Sequence, residues 1–327
     1  MSSAADRRIL LTSASGHVGG NRARRGRAIV GGYDRPFMRI AATLLLASLC
    51  AVEAWASSTT LAHADALWAR RAEGQLDAKA RPEPVRTAIT IYEDVIAADP
   101  QNLEAYWKLL RALWFSADFA TEDAAQERRT YEQAQDVSER AFAALAERVG
   151  GSDALEELSP EELRARLPAA DHHDAAELYF WHAVNLGAWS RIAGLLEAVR
   201  KGVANRLHEA TLRSIALDPD VEQGGAIRLL SRLHSELPRV PLLSGWVDHT
   251  KALPLAERAL AEHPQHPGNA YLLGLVILSN APERRGEGLV LIDGTARLEP
   301  RSDQLVEDLA IQIDARELLE VEQSSAL

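Results

Sequence analysis

The sequence predicts an all-α protein made of antiparallel helical hairpins stacked side by side. Apolar residues from Thr60 onward recur with a helical period, and no segment alternates as a half-buried strand would. Start and stop signals for helices recur through the same region. Four of the helix ends also resemble one another, which indicates an internal repeat.

The first elements of the chain look at first like part of an enzyme. The stretch Arg7–Gly20 resembles the opening of the atypical short-chain dehydrogenases, whose dinucleotide-binding turn has the spacing G-x-x-G-x-x-G. Gly16 and Gly19 keep the last two glycines, but Ser13 stands in place of the first. The helix and second strand that such a turn requires do not follow, because residues 21–37 are basic and broken by glycines. We therefore expect a protein that is not an enzyme and has no cofactor.

Residues 38–56 have the three parts of a secretory signal peptide. One positive charge after Met38 precedes about a dozen apolar residues, and Ala54 and Ala56 supply the small residues of a cleavage site. The apolar run is too short to span a bilayer, which takes about 20 such residues. Because a signal peptide begins at the N-terminus, we expect translation to start at Met38 and residues 1–37 to be a disordered upstream extension. A short cytosolic arm and a long basic n-region are the alternatives.

Cysteine usage and charge constrain the exported part of the chain. The only cysteine, Cys50, lies in the signal peptide, and Leu49 before it disfavours a lipid anchor, which takes a small residue there. Residues 57–327 therefore have no thiol, disulfide or cysteine-bound metal. Residues 1–56 hold eight arginines and three acids, a net charge of +5, which leaves −16 for residues 57–327 in a chain whose total is −11. We expect so acidic a chain to bind neither nucleic acid nor anionic membranes.

Local signals place several helix boundaries. Ser159 at an N-cap, followed by proline and then Glu162, forms a capping box. Asp174 with Glu177 gives the same signal for the start of the next helix. The glycines at 150–151 are expected to end the helix that precedes these two helix starts.

The repeated helix ends are closed by Pro100, Pro219, Pro264 and Pro300. A proline ends the second helix, helix B, of a tetratricopeptide repeat, which is a helical hairpin of about 34 residues. Here Pro264 and Pro300 are 36 residues apart, and Pro219 and Pro264 are 45 apart. We therefore expect residues 57–327 to form four or five irregular hairpins, a degenerate tetratricopeptide-like α-solenoid or superhelix.

Small or apolar residues recur where helices of such hairpins pack closely. Counting back from the prolines gives three sets in helix B, and counting forward gives positions in helix A. The helix B sets are Ala88, Tyr92 and Val95, then Ala252, Ala256 and Ala259, then Gly288, Ile292 and Thr295; the helix A positions are Tyr106, Leu109, Leu273, Gly274 and Ile277. We expect all of them to be packing positions.

The middle of the chain has a distinctive order of short signatures. A helix rich in Tyr and Trp ends in Asn-Leu-Gly, an Asp is followed by Gly-Gly and Arg, and a later helix ends in Leu-Pro before a repeat hairpin. This order resembles the T component (TatT) associated with tripartite ATP-independent periplasmic (TRAP) transporters, over roughly residues 80–310. The residues that carry the resemblance are Trp181, Asn185, Leu186, Gly187, Asp218, Gly224, Gly225, Arg228, Leu237 and Pro238.

The resemblance implies a periplasmic protein of stacked helical hairpins whose partner is a TRAP solute-binding protein. It also implies a role in delivering a small organic ligand, such as an organic acid or a more apolar carboxylate. The alternative is a general periplasmic tetratricopeptide scaffold, which assembles an envelope complex and has no ligand of its own. The sequence leaves a homo-oligomer open.

Three candidate binding residues follow from the position of helix A. On a tetratricopeptide scaffold, side chains of helix A line the concave surface, where partners usually bind. Counting from Leu103 as the first position directs Trp107, Arg111 and Trp114 towards that surface. They would form an aromatic wall with one cation, suited to an extended peptide or an apolar carboxylate. Alternatively the tryptophans are core residues between hairpins, because buried aromatics dominate packing.

Four further candidates lie downstream. Trp181 and Asn185 share one face of the Tyr/Trp-rich helix, and Tyr179 lies on another. A buried Asn185 needs hydrogen-bond partners, so it either clamps the loop at residues 224–225 or contacts a ligand. Arg228 either binds a ligand carboxylate or pairs with an acid a few residues before it, Glu222.

The histidines do not form a metal-binding pattern. His172 and His173 are adjacent and point apart, and His263 and His266 lie in a loop held by two prolines. Leu212 stands where a zinc-protease helix would need its second histidine. We expect no metal site, and neither a nucleophile elbow nor a phosphate-binding loop is present in the sequence.

Overall fold

The computed structural model describes residues 60–324, so the segments predicted to be a signal peptide and an upstream extension lie outside the described residues. Within this range the prediction of an all-α protein is confirmed, because the only β-type pairing is one isolated bridge between Leu76 and Lys79. Helix α1 covers residues 60–69. The helices that follow are α2 (Pro82–Ala98), α3 (Leu103–Phe119), α4 (Ala124–Val149), α5 (Ser152–Glu157), α6 (Pro160–Arg166), α7 (His172–Ala193), α8 (Leu195–Arg200), α9 (Val203–Leu217), α10 (Gly225–Glu236), α11 (Ala252–Glu262), α12 (Pro267–Asn280), α13 (Arg285–Ala296) and α14 (Leu305–Ser324).

Helices pack mainly on their neighbours in the sequence. Helix α3 contacts α2 and α4, and both α3 and α4 contact α7. The order continues from α7 through α9, α10, α11, α12 and α13 to α14, each of which contacts the next. Contacts also join α10 with α12 and α12 with α14. Side chains of α3 and α7 meet in this arrangement, and that meeting place holds most of the candidate site. Among residues 60–324, no helix is both long and apolar enough to cross a membrane.

Most of the helix boundaries follow the local signals. Ser159 accepts a hydrogen bond from the backbone N–H of Glu162, whose carboxylate accepts one from the backbone N–H of Ser159 at 2.9 Å, so the capping box is present. Helix α4 ends at Gly150, which adopts the left-handed conformation that a C-cap requires. Helices α2, α9, α11 and α13 each end within four residues before one of the four prolines.

The helix start indicated by Asp174 is wrong. Helix α7 begins two residues earlier, at His172, because the 3-10 turn Ala169–Asp171 leads directly into it. The His172 ring lies 3.0 Å from the carbonyl oxygen of Arg164 and helps to hold this junction. Asp174 does not cap the helix, because its carboxylate accepts a hydrogen bond from the indole N–H of Trp107 at 2.9 Å.

The packing positions expected from the repeat are buried. All nine helix B residues and all five helix A residues named above are fully or almost fully buried. Helices α12 and α13 come closest at Gly274 and Gly288. A Cβ atom on Gly274 would lie 2.6 Å from Ile292 and 2.9 Å from the carbonyl oxygen of Gly288. The absence of a side chain therefore permits this approach.

The two ends of the described chain meet. Arg71, just after α1, donates hydrogen bonds at 2.8 Å to the carboxylate of Glu307 and at 2.9 Å to the side chain of Gln304, both at the start of α14. Val306 is fully buried in the same apolar core as residues of α1 to α9. The C-terminal helix therefore packs on the N-terminal helices, although 236 positions separate Arg71 from Glu307 in the sequence.

Candidate functional site

Aromatic and ionisable side chains from α1, α3 and α7 form one connected group, here called the Trp–Arg cluster. Its members are Trp68, Trp107, Arg111, Trp114, Glu177 and Trp181. The residues of α3 lie three or four positions apart and so share one face of the helix. Glu177 and Trp181 have the same relation on α7. Two helices that contact each other thus present their polar and aromatic faces to one place.

Arg111 lies between two indole rings. The central carbon of its guanidinium is 4.3 Å from the ring centre of Trp68 and 4.9 Å from that of Trp107, within cation–π range. Trp114 continues the aromatic surface, with its ring centre 5.2 Å from that of Trp181. Arg111 makes no ion pair with any residue of the described range, so its charge is balanced only by the rings and by more distant acids.

The tryptophans differ in how much of their surface is free. Trp107 and Trp181 are 7% and 5% exposed. For Trp107 this agrees with the alternative that it is a core residue. Trp114 and Arg111 are half-buried. Only the latter pair therefore presents a substantial surface to a ligand, and the former pair supports it from behind.

Asn185 positions α7 against α3. Its side-chain N–H₂ donates to the carbonyl oxygen of Leu110 on α3 at 3.0 Å and to that of Trp181 at 2.8 Å. Asn185 is 1% exposed, and these bonds satisfy its buried N–H₂ group, whereas its Oδ1 has no partner among the described residues. Its predicted clamp on the loop at residues 224–225 is wrong, because Phe180 packs there instead, 2.8 Å from the place that a Cβ atom of Gly225 would occupy.

Three polar atoms of the Trp–Arg cluster are buried without a hydrogen-bond partner among the described residues. They are Nε of Arg111, Oε2 of Glu177 and Nε1 of Trp181. An unmet buried polar atom costs about 1–3 kcal/mol, and most buried polar atoms in proteins are satisfied by protein or water. The indole N–H of Trp181 acts on the Glu177 carboxyl group and lowers its pKa, so these two groups face each other. Nε of Arg111 is therefore the atom of the cluster that is left without a polar neighbour among the described residues.

Glu177 has an unusual electrostatic environment. It is 4% exposed, and burial is the main reason that its pKa is raised well above its usual range. The negative charge of Glu222 raises the pKa of Glu177 further, whereas the positive charge of Arg111 acts in the opposite direction. The cluster therefore holds one cation beside a carboxyl group that favours its neutral form.

Glu222 is held near the cluster by a strained loop. Glu222, Gln223 and Gly224 all have left-handed backbone conformations, which are unfavourable for the first two. Arg228 donates hydrogen bonds to the carbonyl oxygens of Gln223 at 2.8 Å and Glu222 at 3.1 Å, and to the side chain of Asn269 at 2.9 Å. Arg228 therefore joins the loop to α12, and it pairs with the main chain of Glu222 and not with its carboxylate.

Tyr179 lies apart from the Trp–Arg cluster. Its hydroxyl accepts a hydrogen bond from Arg213 of α9 at 3.0 Å, and its ring is 5.0 Å from that of Phe142 on α4. It therefore faces the side of α7 that packs on α4 and α9. The seven candidates thus divide into four in the cluster, two that hold the backbone, and Tyr179 on a different face.

The sequence analysis missed three residues of this site. Trp68 lies before the segment in which the repeat was recognised, and Glu177 was interpreted as a capping residue. Glu222 was considered only as an ion-pair partner. The sequence held one signal for Glu177, because this acid lies on the same helical face as Trp181. Across residues 60–324, no group of three or more His, Cys, Asp or Glu side chains is placed to hold a metal ion.

No protein-family model matches the chain, and no curated protein is significantly similar to it.

Proposed function

We propose that this chain is a non-enzymatic, exported helical-repeat protein of the TRAP T-component type. In this proposal it has a degenerate tetratricopeptide-like superhelix, binds a TRAP solute-binding protein in the periplasm, and receives a small apolar carboxylate at the Trp–Arg cluster. The observation that carries the proposal is the half-buried guanidinium of Arg111, which lies between two indole rings beside Trp114 and makes no ion pair among residues 60–324. A scaffold that only bridges proteins has no need for such a group.

The packing of the helices supports the repeat part of the proposal. Most helices contact the next long helix in the sequence. Three further contacts join helices that are not neighbours in the sequence, namely α3 with α7, α10 with α12, and α12 with α14. Stacked hairpins give this pattern, because helix A of one hairpin lies against helix A of the next. The buried small residues at the expected helix B positions agree with it.

The chemistry of the cluster favours a carboxylate with an apolar body. The faces of the Arg111 guanidinium contact indole rings, while its edge carries N–H donors that make no ion pair among residues 60–324. An arginine edge binds a carboxylate in a bidentate way. Trp114 provides apolar surface beside it. The neutral form of Glu177 would place a hydroxyl donor, not a second negative charge, next to the bound anion.

The ligand part of the proposal is tested by calorimetric titration of the full chain with octanoate, with octanamide as the neutral probe. We expect octanoate to bind. The substitution Arg111→Gln should lower its affinity by about tenfold or more, since a charge-assisted bidentate contact is lost. Arg258→Gln, which removes an exposed arginine of α11, is the matched control and should leave affinity unchanged. Equal binding of octanoate to both variants would contradict the proposal.

The partner part is tested separately, by pull-down from periplasmic extract of the native host with the tagged chain. Recovery of a TRAP solute-binding protein, identified by mass spectrometry, supports the proposal. Recovery of other envelope proteins alone, together with no octanoate binding, would favour the scaffold alternative. Because Arg111→Gln is expected to keep the partner, failure of ligand binding and failure of partner binding are distinguishable.

A further inference from the structure

An open cavity lies on the opposite side of α7 from the Trp–Arg cluster. It has a volume of about 410 Å³ and is lined by residues of α4, α5, α7 and α9. Cavities of a few hundred cubic ångströms are the usual size of small-molecule sites. We call it the α4–α9 pocket, and Phe142, Leu155, Tyr179, His182 and Arg206 are the lining residues on which its chemistry depends.

The wall of the α4–α9 pocket is aromatic and apolar. The rings of Phe142 and Tyr179 are 5.0 Å apart and tilted by 37°, and the ring of His182 meets that of Phe142 edge-on at 5.0 Å. Leu155 from α5 adds aliphatic surface. Three helices thus supply one continuous surface on which a flat or aliphatic body can pack.

His182 supplies a polar ring to this wall. It is 5% exposed, it lines the pocket, and its ring packs on Phe142. Burial and the positive charge of Arg206 lower the pKa of His182 to about 3, so the ring is neutral at physiological pH. A neutral imidazole offers one N–H donor, and His182 lines the pocket in which a ligand could accept it.

The two arginines of the pocket differ in what they already bind. Arg213 holds the fold, because it donates to the carbonyl oxygens of Leu155 and Leu158 and pairs with Glu209 at 2.7 Å. Arg206 is exposed and makes no ion pair within the described part of the chain. Arg206 is therefore the cation of this pocket that is free to bind an anion.

Acidic residues also line the pocket, but they do not control its inner end. Glu139, Glu156 and Glu209 are part of the lining, and Glu209 is neutralised by Arg213. The charged group that acts on the buried His182 is Arg206, and no carboxylate does so. Within residues 60–324 the cavity consequently has one free cation, Arg206, near a neutral His182, while the acids discourage a second negative charge on the ligand.

We propose that the α4–α9 pocket binds a small monocarboxylate with an aromatic or apolar body. The carboxylate lies between Arg206 and the N–H of His182, and the body packs on Phe142 and Tyr179. This site is separate from the Trp–Arg cluster, since its residues come from the other face of α7 and from α4, α5 and α9. It makes the chain a protein with two binding sites for apolar acids.

Calorimetric titration of the purified full chain with three matched probes tests the proposal. The probes are 2-naphthylacetate, 2-naphthylacetamide and 2-naphthylmethylamine, which share a body and differ in charge. We expect the acid to bind about tenfold more tightly than the amide and the amine to show no measurable binding. Binding of all three with equal affinity, or of none of them, would overturn the proposal.

Variants locate the site. Arg206→Gln should lower the affinity for the acid by about tenfold and leave the affinity for the amide unchanged. Arg200→Gln on the neighbouring helix α8 removes an exposed arginine and serves as the control. Ala143→Trp fills the pocket from an exposed lining position and should abolish binding of both probes without disturbing the core.

The same experiment separates this proposal from the function proposed for the Trp–Arg cluster. If Arg111→Gln abolishes naphthylacetate binding and Arg206→Gln does not, the acid binds at the cluster and the α4–α9 pocket is not a site. If Arg206→Gln weakens naphthylacetate binding about tenfold and Ala143→Trp abolishes it while Arg111→Gln has no effect, the inference holds whatever the outcome for octanoate. Unchanged thermal unfolding by circular dichroism confirms that each variant is folded.

Discussion

Helices α3 and α7 are separated by indole rings, whereas α12 and α13 touch through glycine. In the first region the rings of Trp114 and Trp181 lie 5.2 Å apart across the contact. In the second, a Cβ atom on Gly274 would lie 2.9 Å from the main chain of Gly288. Large flat rings cannot fill every gap or satisfy every polar atom, but a glycine contact leaves almost no space. The contact between α3 and α7, here called the wide contact, therefore has the features of a binding site. The contact between α12 and α13, here called the narrow contact, holds the helices together.

The largest expected effect concerns the ion pair between Arg71 and Glu307. It joins the N-terminal helices to α14, which contacts α12 and α13. The side chains of Arg71 and Glu307 are 4% and 11% exposed. Arg71→Met leaves a buried carboxylate unpaired, and loss of one partner of a buried pair costs about 3–5 kcal/mol. Urea unfolding measures this change in the free energy of unfolding.

The double variant Arg71→Met with Glu307→Leu provides the control, because it removes both charges. We expect it to recover most of the stability that Arg71→Met loses. If the single variant unfolds at the same urea concentration as the native chain, the two ends of the described chain are not coupled in solution.

The narrow contact is tested by Gly274→Ala. A methyl group there must displace Ile292 or the backbone at Gly288, and overpacking of this kind costs about 1–3 kcal/mol. Gly294→Ala on α13 is the matched control, since no atom lies within 4 Å of the added methyl group. Because alanine favours a helix over glycine, this control should gain up to about 1 kcal/mol. Equal effects of the two substitutions would show that α12 and α13 do not approach closely.

The narrow contact could be predicted from the sequence, and the wide one only in part. Small residues counted from a proline give the packing positions directly, because the spacing is local and the helix period is fixed. The same counting found Trp107, Arg111 and Trp114. It could not find the meeting of Arg71 with Glu307, since no local pattern relates positions that are 236 apart.

The loop that holds Glu222 was also beyond sequence reasoning. Left-handed conformations are unfavourable for Glu222 and Gln223, so propensity alone argues against them. They persist because Arg228 and Asn269 bind the carbonyl oxygens of the loop from two different helices. Tertiary contacts therefore decided the local conformation here.

The unusual charge state of Glu177 gives a pH-dependent test of the wide contact. Because burial raises its pKa above the ordinary 4.5, the folded protein keeps this proton over a range in which the unfolded chain has lost it. The stability that the proton supplies is present below pH 4.5 and is lost as the pH rises through the raised pKa of Glu177.

Glu177→Gln keeps the shape and removes the titration. We expect the variant to be more stable than the native chain at pH 8 by on the order of 1–2 kcal/mol, and to differ little at pH 5. Thermal unfolding across this pH range measures the difference. Glu161→Gln, at an exposed position of α6, should show neither effect. A constant difference at all pH values would mean that Glu177 does not titrate abnormally.

The smallest effect on stability, and the sharpest test of the comparison, is expected for Trp114→Leu. Trp114 is half-buried and contacts Phe119 and Trp181, so its loss should cost only about 0.5–1.5 kcal/mol. If the wide contact is a binding site, octanoate affinity should nevertheless fall by about fivefold. Trp246→Leu is the matched control, because Trp246 stacks on His208 at 3.9 Å, far from α3 in the chain. A variant that loses stability and keeps its affinity would show that Trp114 is a packing residue, and the two contacts would then differ only in size.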